Sequence, residues 1–259
     1  MPKETFGGDD DEEVPQEETK KLNLSKYSTG PDLNIKDIFW RIITSYSQGS
    51  GPGLDLKSLE MDRFAIVRSA ISALTRPSPM YARMKPEHIA KYSMMMFLDA
   101  GWSDVFVEFL EECRPRLKRY VIAAIEELVA DKEYNLKISE HFRSMLRYRE
   151  NSEIALVYLG SLGDKKTSEI LKKELIILAR GDIGENQQNA ISALSVLDDQ
   201  DTIKTMISLL SHWDDAAREA AAMVLLEKQN DEAVAAAKSR LEKETNSEIQ
   251  EILKKIAGV

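Results

Sequence analysis

Three stretches near the C-terminus decide the fold: EIALVYLGSLGDKKTSEILKKEL (153–175), NAISALSVLDDQDTIKTMISLL (189–210) and AAAMVLLEKQNDEAVAAAKSRL (220–241). Laid over one another, they match at Ala155, Ala190 and Ala221, and four residues later at Leu159, Leu194 and Leu225. Residues four apart share one face of a helix. An alanine there lets a neighbouring helix approach closely, and the leucine fills the space between layers. The turn that follows carries Asp164, Asp199 or Asn230, short side chains that accept from the free amides opening a second helix. That second helix carries Ile170, Thr205 and Ala236 at matching positions. The copies are spaced 35 and 31 residues apart; Ile252 and Ile256 extend the series forward by 31, and Ala124 with Leu128 extend it backward by 31. A unit of two helices and a turn leaves an apolar face bare, so it needs a neighbour on either side.

The pattern resembles the HEAT-repeat family, in the short-repeat form named after the phycobilisome lyases. LGSLGD (159–164) is similar to that family's Leu-Gly…Gly-Asp turn. DDAAREAAAMV (214–224) is similar to its Asp-x-x-Arg-x-x-Ala opening, with Arg218 as the helix-start arginine. The other copies carry Gln187 or Gln188, and Ile249 or Gln250, near that position. The resemblance is clearest over 151–259, and residues 54–150 fit as divergent copies. It implies an all-α fold, an α-α superhelix of the HEAT/armadillo-like solenoid kind, used as a binding scaffold. The lyases' chromophore chemistry is not implied, because no residues here match such a site.

Composition agrees with helix throughout. Of 259 residues, 43% are hydrophobic and 31% charged, with only 12 Gly and 8 Pro to punctuate the chain. Residues 1–31, with DDDEE (9–13) and EETKK (17–21), read as a disordered acidic tail. Residues 32–53 read as an amphipathic helix, opened by Asp32 or Asn34 and carrying Ile35, Ile38, Phe39, Ile42 and Ile43, followed by the Gly/Pro linker GSGPG (49–53). It is either the first packing helix or a tethered helix for a partner's groove; packing is favoured, because Trp40 and that stripe are costly to expose. In 57–75, Phe64, Val67, Ile71 and Leu74 are expected on one inward face. Pro86 and Pro115 are expected to open helices, as are Ser103 or Asp104, Asp131, and Asn151 or Ser152. Two of Met94, Met95 and Met96 are expected in the core.

Nothing in the sequence assembles catalytic chemistry. His88, His141 and His212 are scattered, with no ligand spacing, and no metal or cofactor is expected. Cys113, the single cysteine, follows two glutamates and reads as a structural thiol. No phosphate-binding loop, nucleophile elbow or zinc-protease motif is present. One cysteine, no signal peptide and no membrane-length apolar run point to a cytoplasmic protein.

Charge is unevenly spread under a formal net charge of −9. Residues 57–150 hold 16 Lys/Arg and 14 Asp/Glu, net +2, whereas 1–56 are net −5 and 151–259 net −6. The basic residues concentrate in RPRLKRY (114–120). Arg114 is expected to end one helix, where a cation suits the macrodipole. Arg116, Lys118 and Arg119 are expected in the first turns of the next, where cations are unfavourable unless an anion is near. Arg143, Arg147 and Arg149 are expected to end the following hairpin beside them. Lys91-Tyr92, Arg119-Tyr120 and Arg147-Tyr148 recur at 28 residues, but the core register repeats at 31, so the third match reads as coincidence. These seven residues form the expected partner- or anion-binding patch. The expected function is a non-catalytic scaffold for a protein partner with an acidic segment; the alternative is RNA or DNA bound by the same patch.

Overall fold

The computed structural model describes residues 35–51, 62–76, 84–181 and 184–259, without the side chains of residues 149 and 150. The expected tail over 1–31, the caps Asp32 and Asn34, residues 52 and 53 of the linker, and the start of the repeats at Leu54 lie outside the described residues. Those described form thirteen α-helices and no strand. The first six are α1 (Ile35–Ser47), α2 (Arg63–Thr75), α3 (Pro86–Ala100), α4 (Ser103–Cys113), α5 (Lys118–Ala130) and α6 (Lys132–Arg147). The rest are α7 (Arg149–Leu162), α8 (Lys165–Gly181), α9 (Gly184–Ser195), α10 (Gln200–Leu209), α11 (Asp215–Lys228), α12 (Asp231–Leu241) and α13 (Ser247–Ala257).

They stack in two layers. The odd-numbered helices pack side by side from α1 to α13, each on the next odd one. The even-numbered helices form the second layer, α2 on α4, and α6 through α8 and α10 to α12. This is an α-solenoid, the all-α superhelix expected from the sequence. Among the described residues no helix is long and apolar enough to cross a membrane.

The repeat residues occupy the inter-layer core. Ala155, Ala190, Ala221, Leu194 and Leu225 are fully buried, and Leu159 nearly so. At three odd-to-even turns the expected short side chain caps the next helix. The Asp164 carboxylate accepts from the Thr167 amide at 2.7 Å, Asp199 from the Asp201 amide at 3.0 Å, and Asn230 from the Ala233 amide at 2.8 Å. Asp131 caps α6 in the same way. The chain enters α8 through Gly163 at φ +61°, left-handed backbone that glycine adopts without strain. α1 is a packing helix: Phe39, Trp40, Ile42 and Ile43 are buried, and the Tyr46 hydroxyl donates to Asp99 on α3 at 2.8 Å. Tyr134 and Lys137 on α6 bond the same carboxylate, so Asp99 ties three helices together.

Several local expectations are corrected. In α2 the buried face is Ile66, Val67, Ala70, Ala73 and Leu74; Phe64 is 41% exposed and Ile71 half-buried. With eight apolar residues among thirteen, this helix offers two overlapping stripes; Val67 and Leu74 are buried as expected, and Ile66, Ala70 and Ala73 take the places expected of Phe64 and Ile71. α4 starts at Ser103, but its N-cap is Trp102 with no side-chain cap bond. Pro115 does not open α5; residues 114–117 form a turn, and the helix begins at Lys118. α7 begins at Arg149, with Tyr148 rather than Asn151 or Ser152 as its N-cap. Pro86 does open α3, and Met94 and Met96 are the two buried methionines.

Arg218 fills the helix-start position in α11 and is buried. Its Nε and Nη2 donate to both carboxylate oxygens of buried Glu244, at 2.9 and 3.0 Å. Nη2 also reaches Asp215 at 2.7 Å, and Nη1 reaches the carbonyls of His212 and Trp213. Burial alone would raise the Glu244 carboxyl. Arg218, the Asn246 and Thr245 amides and Arg240 outweigh it and hold the pKa down at about 2, from an ordinary 4.5. In the preceding repeat Gln187 takes this position, with its Nε2 2.9 Å from the Ala179 carbonyl and 3.4 Å from His212 Nε2.

Two predictions follow from this packing. A Cβ on Gly160 of α7 would stand 2.9 Å from the Asn189 carbonyl oxygen on α9, whereas one on Gly181 would meet nothing within 4 Å. Gly160→Ala is therefore expected to lower stability by ~1–3 kcal/mol in urea denaturation despite alanine's helix preference, while Gly181→Ala leaves it unchanged or slightly raised. The depressed Glu244 carboxyl contributes stability that is complete above pH 4.5 and is lost as pH falls through about 2. That loss amounts to about 3 kcal/mol. Urea unfolding of Glu244→Gln across this window should show a pH dependence shallower by that amount.

Candidate binding site between α2 and α4

The seven basic residues singled out by sequence are not all free. Arg114, at the C-cap of α4, pairs with Glu153 on α7 at 2.7 Å. Arg143 donates to the Ile170 carbonyl at 2.7 Å and lies 3.4 Å from Glu174 on α8; Arg147 reaches the same glutamate at 3.5 Å. These three fasten helices to one another. Arg119 folds over its neighbour, with its guanidinium 4.6 Å from the Tyr120 ring centroid and Nη2 donating to the phenol oxygen at 2.6 Å. Arg149 opens α7 rather than ending α6, and its side chain lies outside the description. Lys118 opens α5.

Arg116 differs from the others. It sits in the 114–117 turn, not in the first turn of a helix, and is exposed. It lines a groove of about 620 Å³ between α2 and α4. One wall is the α2 stripe of Phe64, Val67 and Ile71, continued by Arg68 and Arg76; the other is Glu108 and Glu112 on α4. Arg68 is engaged by Asp62 at 2.7 Å. Arg76, Arg116 and Lys118 make no ion pair among the described residues. The sequence reading placed Phe64, Val67 and Ile71 together on one face but assigned that face to the core. The groove depends on α2 and α4 lying side by side, which no sequence spacing reports.

The reason the groove stays open is chemical. α4 buries Val105, Phe106, Phe109, Leu110 and Cys113 on one face. Phe106 meets Phe142 on α6 edge-on at 6.2 Å, and the Leu110 carbonyl accepts from the buried Tyr158 hydroxyl on α7 at 2.7 Å. Glu108 and Glu112 then fall on the opposite face, toward α2. An apolar stripe against two carboxylates cannot seal into a dry interface.

Cys113 and His141 are engaged in the packing of the helices. Cys113 is fully buried, and burial, with Glu112 adding to it, pushes its thiol up to about 12. His141 Nδ1 lies 2.9 Å from the Lys137 carbonyl, and its ring packs on Phe106. Among the described residues no three His, Cys, Asp or Glu side chains are placed to hold a metal ion. Tyr92 and Tyr120 pack against the core while Tyr148 is 65% exposed, so the basic-Tyr recurrence is not one structural motif.

No protein-family model matches this chain, and no curated protein matches it. Solved structures of repeat proteins are similar at low identity. A computationally designed armadillo repeat protein for modular peptide recognition aligns at TM-score 0.40 and 16% identity, covering 74% of this chain and 98% of that one. A designed armadillo repeat protein in complex with the peptide (KR)4 aligns at 0.43 and 13%, covering 87% and 98%. An engineered protein aligns at 0.45 and 16%, covering 88% and 96%.

The arginines divide into fastening and free groups, and this is measurable. Arg143→Glu is expected to cost ~1–3 kcal/mol in urea unfolding, because it sets a second carboxylate against Glu174 and strips the Ile170 carbonyl. Arg116→Glu should change stability by less than ~0.5 kcal/mol.

Proposed function

We propose that this chain is a non-catalytic α-solenoid scaffold that binds a protein partner through an acidic segment, received at the α4–α5 turn and the adjoining groove. One observation carries it: Arg76 and Arg116, which make no ion pair among the described residues, stand at the end of a groove lined by Phe64 and Ile71, while Arg114, Arg143 and Arg147 are neutralised within the fold. Unpaired cations beside exposed apolar surface fit a partner that supplies carboxylates and an apolar side chain together. Arg119 and Lys118 belong to the same basic stretch, Arg114, Arg143 and Arg147 act as its supports, and Arg149 is included on sequence alone. The HEAT-like pattern of 151–259 supports a scaffold, and the single buried thiol fits a reducing cytoplasm.

The double variant Arg116→Glu with Arg119→Glu should reduce capture of acidic protein partners by tenfold or so while far-UV circular dichroism stays unchanged. Unchanged capture would retire the site. A salt titration against RNA and DNA separates the nucleic-acid alternative: phosphate contacts predict a steep loss of affinity with salt, and absence of binding at physiological ionic strength leaves the protein reading.

A further inference from the structure

The groove and the chain's own acidic stretch are complementary in more than charge. Residues 6–13 read FGGDDDEE: one aromatic, two glycines, then five consecutive carboxylates. They precede α1, which packs directly against α2, the apolar wall of the groove. We propose that residues 6–13 dock intramolecularly in the α2–α4 groove, with Phe6 over Phe64 and Ile71 and the Asp9–Glu13 run against Arg76 and Arg116. This contact rests on the reading of that groove as a receptor for acidic segments, and it makes the N-terminal stretch the competitor of any outside partner.

Distance, polarity and reach all agree with this placement. Along α2, Ile71 to Arg76 is five residues, about 7 Å at the helical rise. Phe6 to Asp9 is three residues, up to about 10 Å of extended chain, so the carboxylates reach the arginine end. Glu108 and Glu112 repel carboxylates from the middle of the groove, so the aromatic takes the middle and the acids take the arginine end. Gly7 and Gly8 carry no side chain to meet those two glutamates. Residues 14–34 link the docked segment to α1; twenty-one residues reach roughly 70 Å when extended. Neighbouring helix axes are only about 10 Å apart, so the tether spans the distance with slack. An intramolecular tether of this kind raises the effective concentration toward the millimolar range, so a weak contact suffices.

The test uses the full chain with Gly8→Cys. Cys113 is fully buried, so the new thiol is the accessible one for a short benzophenone photo-crosslinker. Irradiation in dilute solution, followed by peptide mapping, should place the crosslinks within one chain on residues 64–76 and 108–118. Phe6→Ser, which lies outside the thirteen helices, and Arg76→Glu with Arg116→Glu should each reduce that yield by about tenfold. Crosslinks scattered over other helices would overturn the proposal, and so would crosslinks joining two copies, which would make the occupant another molecule. Loss of crosslinking with partner capture intact removes only the intramolecular contact; intact crosslinking with no partner captured removes only the scaffold reading.

Discussion

Close approach between the odd-numbered helices is the constraint on which the rest of the structure depends. Ala155, Ala190 and Ala221 are fully buried where these helices meet, and at Gly160 the α7 backbone lies so near Asn189 that no Cβ fits without movement. Dense packing of this kind fixes spacing within a layer, because interiors yield little to added volume. It leaves α7 buried from Ile154 through Leu159, with α9 on one side, α5 on the other, and α4 and α6 against it. A helix enclosed in that way transmits position: the turns at its ends, and the side chains on its neighbours, are set by it.

The repeats share this spacing but not their polar interior. Arg218 satisfies all five of its N–H groups within the α11 repeat, and Glu244 gathers four bonds from Arg218 and Arg240 and two from backbone amides. A buried ion pair is a weak source of net stability compared with apolar packing, yet losing one partner is severe. Its second consequence is geometric. Two successive carbonyls of the α10–α11 turn are held by one guanidinium, so Trp213 stays 73% exposed on an anchored turn. In the preceding repeat, Gln187 supplies one amide donor group in place of a guanidinium, and its Oε1 has no hydrogen-bond partner among the described residues.

The two-layer fold was legible because its determinants are local. Alanine and leucine four apart, followed by an Asp or Asn cap, prescribe a helix face and a turn without reference to anything distant. The inward faces of α1, α4, α5 and α6 were legible too, and α2 is where the face was not. In α2 two apolar stripes compete, and only the neighbour α4 decides between them. Helix starts failed for a related reason. Pro115 and Ser152 carry good opening chemistry, but the α4–α5 and α6–α7 junctions are set by packing, and Leu117 and Tyr148 became N-caps with no side-chain bond to offer. The basic stretch was visible as composition. Its division into fastening and free arginines was not, because Glu153 and Glu174 lie 39 and 31 residues from Arg114 and Arg143 in sequence.

The groove is best understood as a consequence of where α4 spends its apolar face. Phe106, Phe109, Leu110 and Cys113 are committed to the fold's interior, where α4 meets α6 and α7, and Tyr158 and Glu153 secure its C-terminal half to α7. What remains for α2 is a line of Glu108, Glu112 and, past the helix end, Arg116 at four-residue intervals. α2 answers with Phe64, which stays 41% exposed, and the half-buried Ile71. Mismatched chemistry holds this seam open. An interface that cannot seal itself keeps exposed apolar surface beside cations that make no ion pair among the described residues, and surface of that kind favours a ligand that brings apolar and acidic groups together.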